Sequence, residues 1–188
     1  MSQGGARYHN VGITTVAMGN LVNSLMNIKK YVFDVKRYSL IDVKKMVVTD
    51  YEGCEDVRKE LKTSESQYGR DDDEIIALTN RITQTVSDEI EDWRSYLGGR
   101  MKVGLSGSAY LDAAREFDAS FDGRRKGEPF VVHISNEDND GYTQIVNFAS
   151  YMEYKNGRFN GNVVDYMVNP SFIRDNWDKY LDFMMGAI

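Results

Sequence analysis

The sequence has little cysteine, histidine or proline, and each shortage excludes a class of protein. Its 188 residues include 1 Cys, 2 His and 2 Pro. A single cysteine, Cys54, cannot form an internal disulfide, and one Cys with two distant His cannot supply the ligands of a structural zinc site. A disulfide-rich scaffold and a zinc module are therefore excluded.

Long apolar runs are also missing. No stretch approaches the ~20 apolar residues that a membrane-spanning helix needs. The first residues, MSQGGARYHN, lack the basic and apolar regions of a secretory signal. We therefore expect a protein that is made and kept in a reducing compartment and has no membrane partner.

What is present is the composition of a globular protein, with 41% hydrophobic and 28% charged residues. The net charge of −6 is uneven, because residues 1–49 hold seven Lys or Arg and only two acidic residues. The acidic remainder disfavours specific nucleic-acid binding. The basic segment either contacts an acidic partner or simply solvates one face of a helix.

Apolar residues at helical spacing predict a first helix over residues 15–38. They are Leu21, Leu25, Ile28, Val32 and Val35. The apolar stripe loses its phase near Ser39, and a polar connector with at most a short helix follows over residues 49–70. Residues 1–70 are thus predicted to form a helical N-terminal extension and connector.

A long amphipathic helix is predicted between the acidic residues 71–74 and the glycines 98–99. Its apolar face comprises Ile75, Leu78, Ile82, Val86, Ile90, Trp93 and Leu97. A shorter helical segment is predicted over residues 108–121, before the basic loop GRRKG at residues 123–127.

After Pro129, runs rich in β-branched and aromatic residues predict two antiparallel strands, 130–134 and 142–148, and a third strand within 163–168. Asn169 as N-cap and Pro170 at the first helical position predict a C-terminal helix. Its predicted buried face comprises Ile173, Trp177, Tyr180, Leu181 and Met184. Residues 71–188 are thus predicted to be an α+β core domain, in which a small antiparallel β-sheet is packed by the long amphipathic helix and the C-terminal helix.

No residue pattern predicts catalysis or a bound cofactor. His9 and His133 lie in no recognisable motif, and His133 reads as a strand residue rather than a base. Cys54 lies among acidic neighbours that disfavour its thiolate. We therefore predict no catalytic residue and no cofactor.

One loop matches the first half of a calcium site. Asn136, Asp138 and Asp140 place oxygen ligands at alternate positions before Gly141. The bidentate Glu expected six residues after that glycine is replaced by Asn147. A bare hairpin loop is the preferred interpretation, and calcium is the weaker one; no other metal site is predicted.

Two short motifs in the C-terminal half resemble the neck, head-tail joining and tail-completion (minor tail) proteins of lambdoid long-tailed phages. One is an aromatic-x-Glu-aromatic-x-x-Gly signature, and the other opens the last helix with Ser171 inserted after the proline. The matching residues are Tyr151, Glu153, Tyr154 and Gly157, then Pro170, Phe172, Ile173 and Arg174. The Pro-Val-Asp-Thr-Gly segment of that family is missing, and residues 50–70 and 105–128 resemble insertions.

The resemblance implies a structural virion protein and not an enzyme. Such a protein is made in the host cytoplasm and forms a homo-oligomeric ring in the virion, between connector and tail proteins, where DNA passes without specific binding. Loops 122–129 and 155–162 would reach neighbouring subunits. The motif residues would fix the corner between sheet and helix, although plain core packing explains them equally well.

Two other classes of function remain open at this point. An acidic binding or inhibitory protein that mimics nucleic acid would be absent from virions, whereas a neck subunit is present in a fixed few copies. An enzyme would need a concave site with perturbed groups, and loss of an activity on mutation of His133 or Glu153 would indicate one.

Overall fold

The computed structural model describes residues 11–65, 67–134, 141–154, 163–165 and 167–187. These residues form mainly helices, with one short pair of strands. The strands are β1 (Val11–Thr14) and β2 (Met101–Gly104), and the helices are α1 (Met18–Ile28), α2 (Leu40–Val48), α3 (Glu55–Lys62), α4 (Asp73–Glu89), α5 (Tyr142–Ser150), α6 (Pro170–Asp175) and α7 (Trp177–Ala187). A π-helical segment, Lys29–Asp34, extends α1, and a 3-10 turn covers Ala113–Glu116.

The two strands run parallel, with Val11 opposite Met101 and Thr14 opposite Gly104. The predicted antiparallel strands are wrong for the residues that the structure describes. Residues 142–148 lie in α5, and residues 130–134 and 163–165 contribute only an isolated parallel bridge between Ile134 and Val164. Helix α5 forms because Ile145 and Phe148 lie on one helical face and are both fully buried, so tertiary packing overrides β-propensity.

Helix α1 and its extension confirm the first predicted helix, but the buried face differs from the predicted one. Leu21 and Leu25 are 45% and 36% exposed. The buried apolar residues are Met18, Val22 and Met26, and an adjoining face of the helix carries the buried amides Asn20, Asn23 and Asn27.

The ends of the next helices follow local signals. The break near Ser39 is confirmed, because Ser39 and Asp42 form a reciprocal capping box at the start of α2. Helix α4 begins where predicted, with the Asp72 carboxylate accepting hydrogen bonds from the amides of residues 74 and 75. It ends at Glu89 and not at residue 97, because the chain turns at Ile90, whose carbonyl accepts from the amide of Trp93.

The buried residues form two clusters. The first joins α1, α4, α5 and the end of β2, through Met18, Val22, Met26, Tyr68, Ile75, Leu105, Ile134, Ile145, Phe148 and Met152. The second lies between the α1 extension, α2, α3 and the 119–121 segment, through Tyr31, Val43, Met46, Tyr51, Leu61, Ala119 and Phe121. Residues from both predicted domains meet in each cluster; the division into 1–70 and 71–188 stays a prediction, as does the α+β class.

The C-terminal helix begins as predicted, since the Asn169 side chain caps it and Pro170 takes its first turn. It is interrupted at Asn176 and continues as α7. Its predicted buried face is wrong, because no residue of α6 or α7 is fully buried and Trp177 is 57% exposed. The predicted helical segment over 108–121 is reduced to the 3-10 turn.

Candidate functional site at the carboxyl ends of the parallel strands

The carboxyl ends of β1 and β2 lie at the same edge of the sheet, which is where parallel α/β structures bind ligands. Both the amide and the hydroxyl of Thr15 donate to the carbonyl of Gly104, at 2.9 and 3.0 Å, and this holds the two strand ends together. Gly107 permits the close approach, because a Cβ atom there would lie 2.7 Å from the Thr15 carbonyl oxygen. We call residues 14–17 and 104–107 the strand-end edge.

Two features of the strand-end edge suit a functional site. Ala17, which joins β1 to α1, has the left-handed φ of 65°, a strained conformation that is common at such sites. The Ser106 hydroxyl is half-buried and makes no hydrogen bond within the described residues. It is therefore free to bind a polar group of a ligand.

Helix α1 fixes the strand-end edge to the rest of the chain through Asn20. The Asn20 amide nitrogen donates to the Asp122 carboxylate at 2.5 Å, and its oxygen accepts from the amide of Val131 at 2.8 Å. Asp122 also accepts from the Ser120 hydroxyl at 2.6 Å and from the amide of Arg124 at 3.2 Å. A buried carboxylate with several donors of this kind holds the loop 118–130 in one conformation.

Arg124 stabilises the loop 118–130 by binding its backbone carbonyls. Its guanidinium donates to the carbonyls of Asp118, Arg125 and Glu128 and lies 4.5 Å from the centre of the Phe130 ring. Burial lowers the pKa of this guanidinium, and the neighbouring carboxylates of the loop oppose that effect. Arg124 therefore acts as a structural cation within the described residues.

The same loop is anchored to α3 and to the turn before it. The Arg125 guanidinium donates to the Glu55 carboxylate at 2.6 Å, and Arg58 donates to the same carboxylate. Hydrogen bonds from Arg58 and then Arg125 lower the pKa of Glu55 to about 2. The buried Tyr51 donates its hydroxyl to the Ser120 carbonyl at 2.6 Å, and burial raises the pKa of that phenol.

A cleft of about 530 Å³ lies between α1 and the 129–132 segment. The Asn23 oxygen accepts from the amide of Tyr68 at 2.6 Å, and Gln67 directs its nitrogen toward the carbonyls of Leu61 and Lys62. At the far end of the 129–133 segment, His133 has a φ of 49° and a buried Nδ1 that finds no hydrogen-bond partner among the residues that the structure describes. His133 is therefore not the strand residue that the sequence predicts.

The remaining predicted site residues that the structure describes lie in elements other than the strand-end edge. Asn80 of α4 binds the backbone of Tyr151 and Glu153, and the Tyr154 hydroxyl donates to the Ala149 carbonyl. Pro170, Phe172 and Arg174 lie in α6. Gly157 and the calcium candidates Asn136, Asp138 and Asp140 lie outside the described residues. An interface role for the motif residues stays a prediction.

Within the part of the chain that the structure describes, no group of His, Cys, Asp and Glu is arranged to hold a metal ion. None of the helices described there has the length and apolarity that crossing a bilayer requires.

Comparison with known proteins identifies a group of enzymes. Residues 1–110 match the family model "pyruvate formate lyase-like". The chain is 27% identical to trans-4-hydroxy-L-proline dehydratase of Clostridioides difficile, over 99% of its own length and 24% of the relative, and 29% identical to (2S)-3-sulfopropanediol dehydratase of Klebsiella oxytoca, over 82% and 20%.

The fold agrees with solved structures of the same kind. The B12-independent glycerol dehydratase of Clostridium butyricum superposes with a TM-score of 0.84 at 26% identity, over 98% of this chain and 24% of that one. A glycyl radical enzyme from Archaeoglobus fulgidus gives 0.83 at 26% identity, with the same coverage of both chains. The chain thus spans about a quarter of the length of the relatives it matches.

These matches overturn the functional predictions made from the sequence. The resemblance to phage neck proteins is wrong, and with it the ring, the connector and tail partners and the virion location, because the matching proteins are glycyl radical enzymes and dehydratases. The prediction that the protein is not an enzyme is wrong for the same reason. The matches do not support the nucleic-acid mimic either.

Proposed function

Because this chain belongs to the pyruvate formate lyase-like family, we propose that it forms part of a glycyl radical dehydratase that removes water from a small hydroxylated molecule. The observation that supports the proposal is the similarity of nearly the whole chain, in sequence and in fold, to dehydratases of such molecules. Since the chain spans about a quarter of their length, the proposal concerns the whole enzyme to which these residues contribute.

We propose that the chain contributes the strand-end edge to the substrate pocket. The edge lies where parallel strands end, and Ser106 offers a hydroxyl that can both donate to and accept from a substrate hydroxyl. We assign a positioning role to Asn20, Asp122 and Arg124. They would hold α1 and the loop 118–130 in place without touching the substrate.

The reaction can be tested in oxygen-free extracts of cells that produce the protein carrying this sequence. The candidate substrates are glycerol, 1,2-propanediol, trans-4-hydroxy-L-proline and (2S)-3-sulfopropanediol. Mass spectrometry identifies the products, and electron paramagnetic resonance detects an organic radical. We expect a radical signal together with loss of water from at least one substrate. A radical signal without loss of water from any of these hydroxylated compounds would refute the proposed dehydratase activity.

The strand-end edge is tested by Ser106→Ala, with Ser108→Ala as the matched control. Ser108 is exposed on the same loop. Loss of one hydrogen bond of about 1 kcal/mol should lower kcat/KM for the substrate about fivefold in Ser106→Ala and leave the control unchanged. If the two variants had the same kcat/KM, Ser106 would not contact the substrate.

A further inference from the structure

The cleft between α1 and the 129–132 segment is lined by two side-chain amides that the fold uses only in part. They belong to Asn23 and Gln67, which are 5% and 2% exposed. The two amides are neighbours, because the Asn23 oxygen accepts from the backbone amide of Tyr68, the residue that follows Gln67 in the chain. We call Asn23 and Gln67 the amide pair.

Each member of the amide pair has one end bound to the backbone. The Asn23 oxygen accepts from the Tyr68 amide at 2.6 Å, and the Gln67 nitrogen faces the carbonyls of Leu61 and Lys62 at 3.5 and 3.4 Å. These backbone groups fix the orientation of both amides, because only the oxygen of an amide accepts from an N–H and only its nitrogen donates to a carbonyl.

The other two ends of the amide pair are unused. Within the described residues, the Asn23 nitrogen and the Gln67 oxygen make no hydrogen bond. Neither atom is sealed from solvent, so both are reached from the cleft. The cleft therefore offers one hydrogen-bond donor and one acceptor, held on two buried residues that lie next to each other.

The four charged side chains that line the cleft already have partners. Lys62 and Glu128 lie 3.9 Å apart. Asp122 accepts from Asn20, Ser120 and the amide of Arg124, and the Arg124 guanidinium donates to carbonyls of its own loop. Because a buried charge without a partner is costly, this lining favours a neutral ligand.

A second wall of the cleft is apolar and held in place. It consists of residues 129–132, Pro-Phe-Val-Val. The amide of Phe130 donates to the Tyr110 carbonyl at 3.2 Å, and the amide of Val131 donates to the Asn20 oxygen at 2.8 Å. The cleft volume of about 530 Å³ is typical of small-molecule sites, which combine an apolar lining with a few fixed polar groups.

We propose that this cleft binds a small neutral cyclic amide, such as a lactam. The ring of a lactam keeps its C=O and its N–H on the same edge, so the C=O accepts from the Asn23 nitrogen while the N–H donates to the Gln67 oxygen. The apolar part of the ring packs on residues 129–132. No residue of the strand-end edge lines the cleft, so the proposal does not rest on the proposed function.

Three ligands of one ring size test the proposal by saturation-transfer difference NMR with the purified protein: 2-pyrrolidone, N-methyl-2-pyrrolidone and cyclopentanol. The N-methyl compound lacks the N–H, and cyclopentanol carries donor and acceptor on a single oxygen. We expect 2-pyrrolidone to bind at least about fivefold more tightly than either of the others, since each of them loses a hydrogen bond to the amide pair. Equal affinities, or no binding of 2-pyrrolidone, would overturn the proposal.

Asn23→Asp tests the protein side of the same contact. Aspartate keeps the oxygen that accepts from Tyr68 but replaces the free donor by an acceptor. The matched control is Asn169→Asp, which adds the same charge and keeps the oxygen that caps α6 by accepting from the amide of Ser171. We expect 2-pyrrolidone to bind at least about tenfold more weakly to Asn23→Asp and with unchanged affinity to the control. The same affinity in both variants would overturn the proposal, and if Asn23→Asp does not fold, the three ligands on the wild type decide.

Discussion

Substitution of Gly123 by Ala should destabilise the fold more than substitution of any neighbouring glycine. Gly123 has a φ of 86°, and a Cβ atom there would lie 2.6 Å from the carbonyl oxygen of Arg58 in α3. The left-handed backbone costs about 1 to 2 kcal/mol for Ala. The steric overlap with a helix backbone adds about 1 to 3 kcal/mol. The sum, about 2 to 5 kcal/mol, is a large part of the stability of an ordinary domain.

Two other glycines serve as controls that separate the cost of the left-handed backbone from the cost of the steric overlap. Gly127 has a φ of 73° with nothing within 4 Å of a Cβ atom, so Gly127→Ala should lose only the backbone cost of about 1 to 2 kcal/mol. Gly186 has open space in α7 and no positive φ, so Gly186→Ala should gain a few tenths of a kcal/mol from helix propensity.

Urea unfolding of the three variants and the wild type, followed by circular dichroism, measures the differences as shifts in midpoint at constant slope. The expected order of stability is Gly186→Ala, wild type, Gly127→Ala, Gly123→Ala. If Gly123→Ala and Gly127→Ala lost the same amount, the close contact between the loop 118–130 and α3 would be refuted.

Three further predictions concern single side chains. Tyr51→Phe should lower the unfolding free energy by about 1 kcal/mol in urea titrations, because it removes the hydrogen bond from the Tyr51 hydroxyl to the half-buried Ser120 carbonyl, which keeps only the donation from the Gly123 amide; an unchanged midpoint would contradict this. The stability that Glu55 contributes should be fully present above its unfolded pKa of 4.5 and be lost as the pH falls toward about 2; the difference in melting temperature between wild type and Glu55→Gln should therefore shrink over that range, and a constant difference would refute the ion pair with Arg58. His133→Asn should stay within about 0.5 kcal/mol of wild type because Asn tolerates a left-handed backbone, whereas His133→Val should lose about 1 to 2 kcal/mol; equal midpoints for the two variants would contradict the backbone conformation.

The features that the sequence predicts well are those with a local cause. Asp72 and Asn169 cap helices with their own side chains, and the break at Ser39 is a capping box within four residues. Each of these signals lies within one helical turn of the feature that it predicts.

The features that the sequence predicts badly depend on distant partners. Strand β1 could not be recognised at residues 11–14 because its pairing partner lies about ninety residues away. Residues 142–148 have strand-like composition, but Ile145 and Phe148 meet α1 and Tyr68 in the core only as a helix. Local propensity carries no information about such neighbours.

The part of the site that could have been found is the amide face of α1. Asn20, Asn23 and Asn27 recur at spacings of three and four, which places them on one helical face. The apolar stripe from Leu21 to Val35 dominates the pattern of this segment and masks the buried polar face beside it. The phage resemblance rested on short motifs at residues 151–174, whereas the family match lies in residues 1–110.

The parallel pairing of β1 with β2 also sets an order of events during synthesis. Ribosomes add about 5 to 20 residues per second, so β1 waits on the order of 5 to 20 seconds before β2 exists to pair with it. The hydrogen bonds of Asn20 to Asp122 and Val131 come later still, since they span 102 and 111 residues. Until then the Asn20 side chain of α1 lacks both partners and is open to solvent or to a chaperone, although Asn23 and Asn27 can already bind Tyr68 and Leu61.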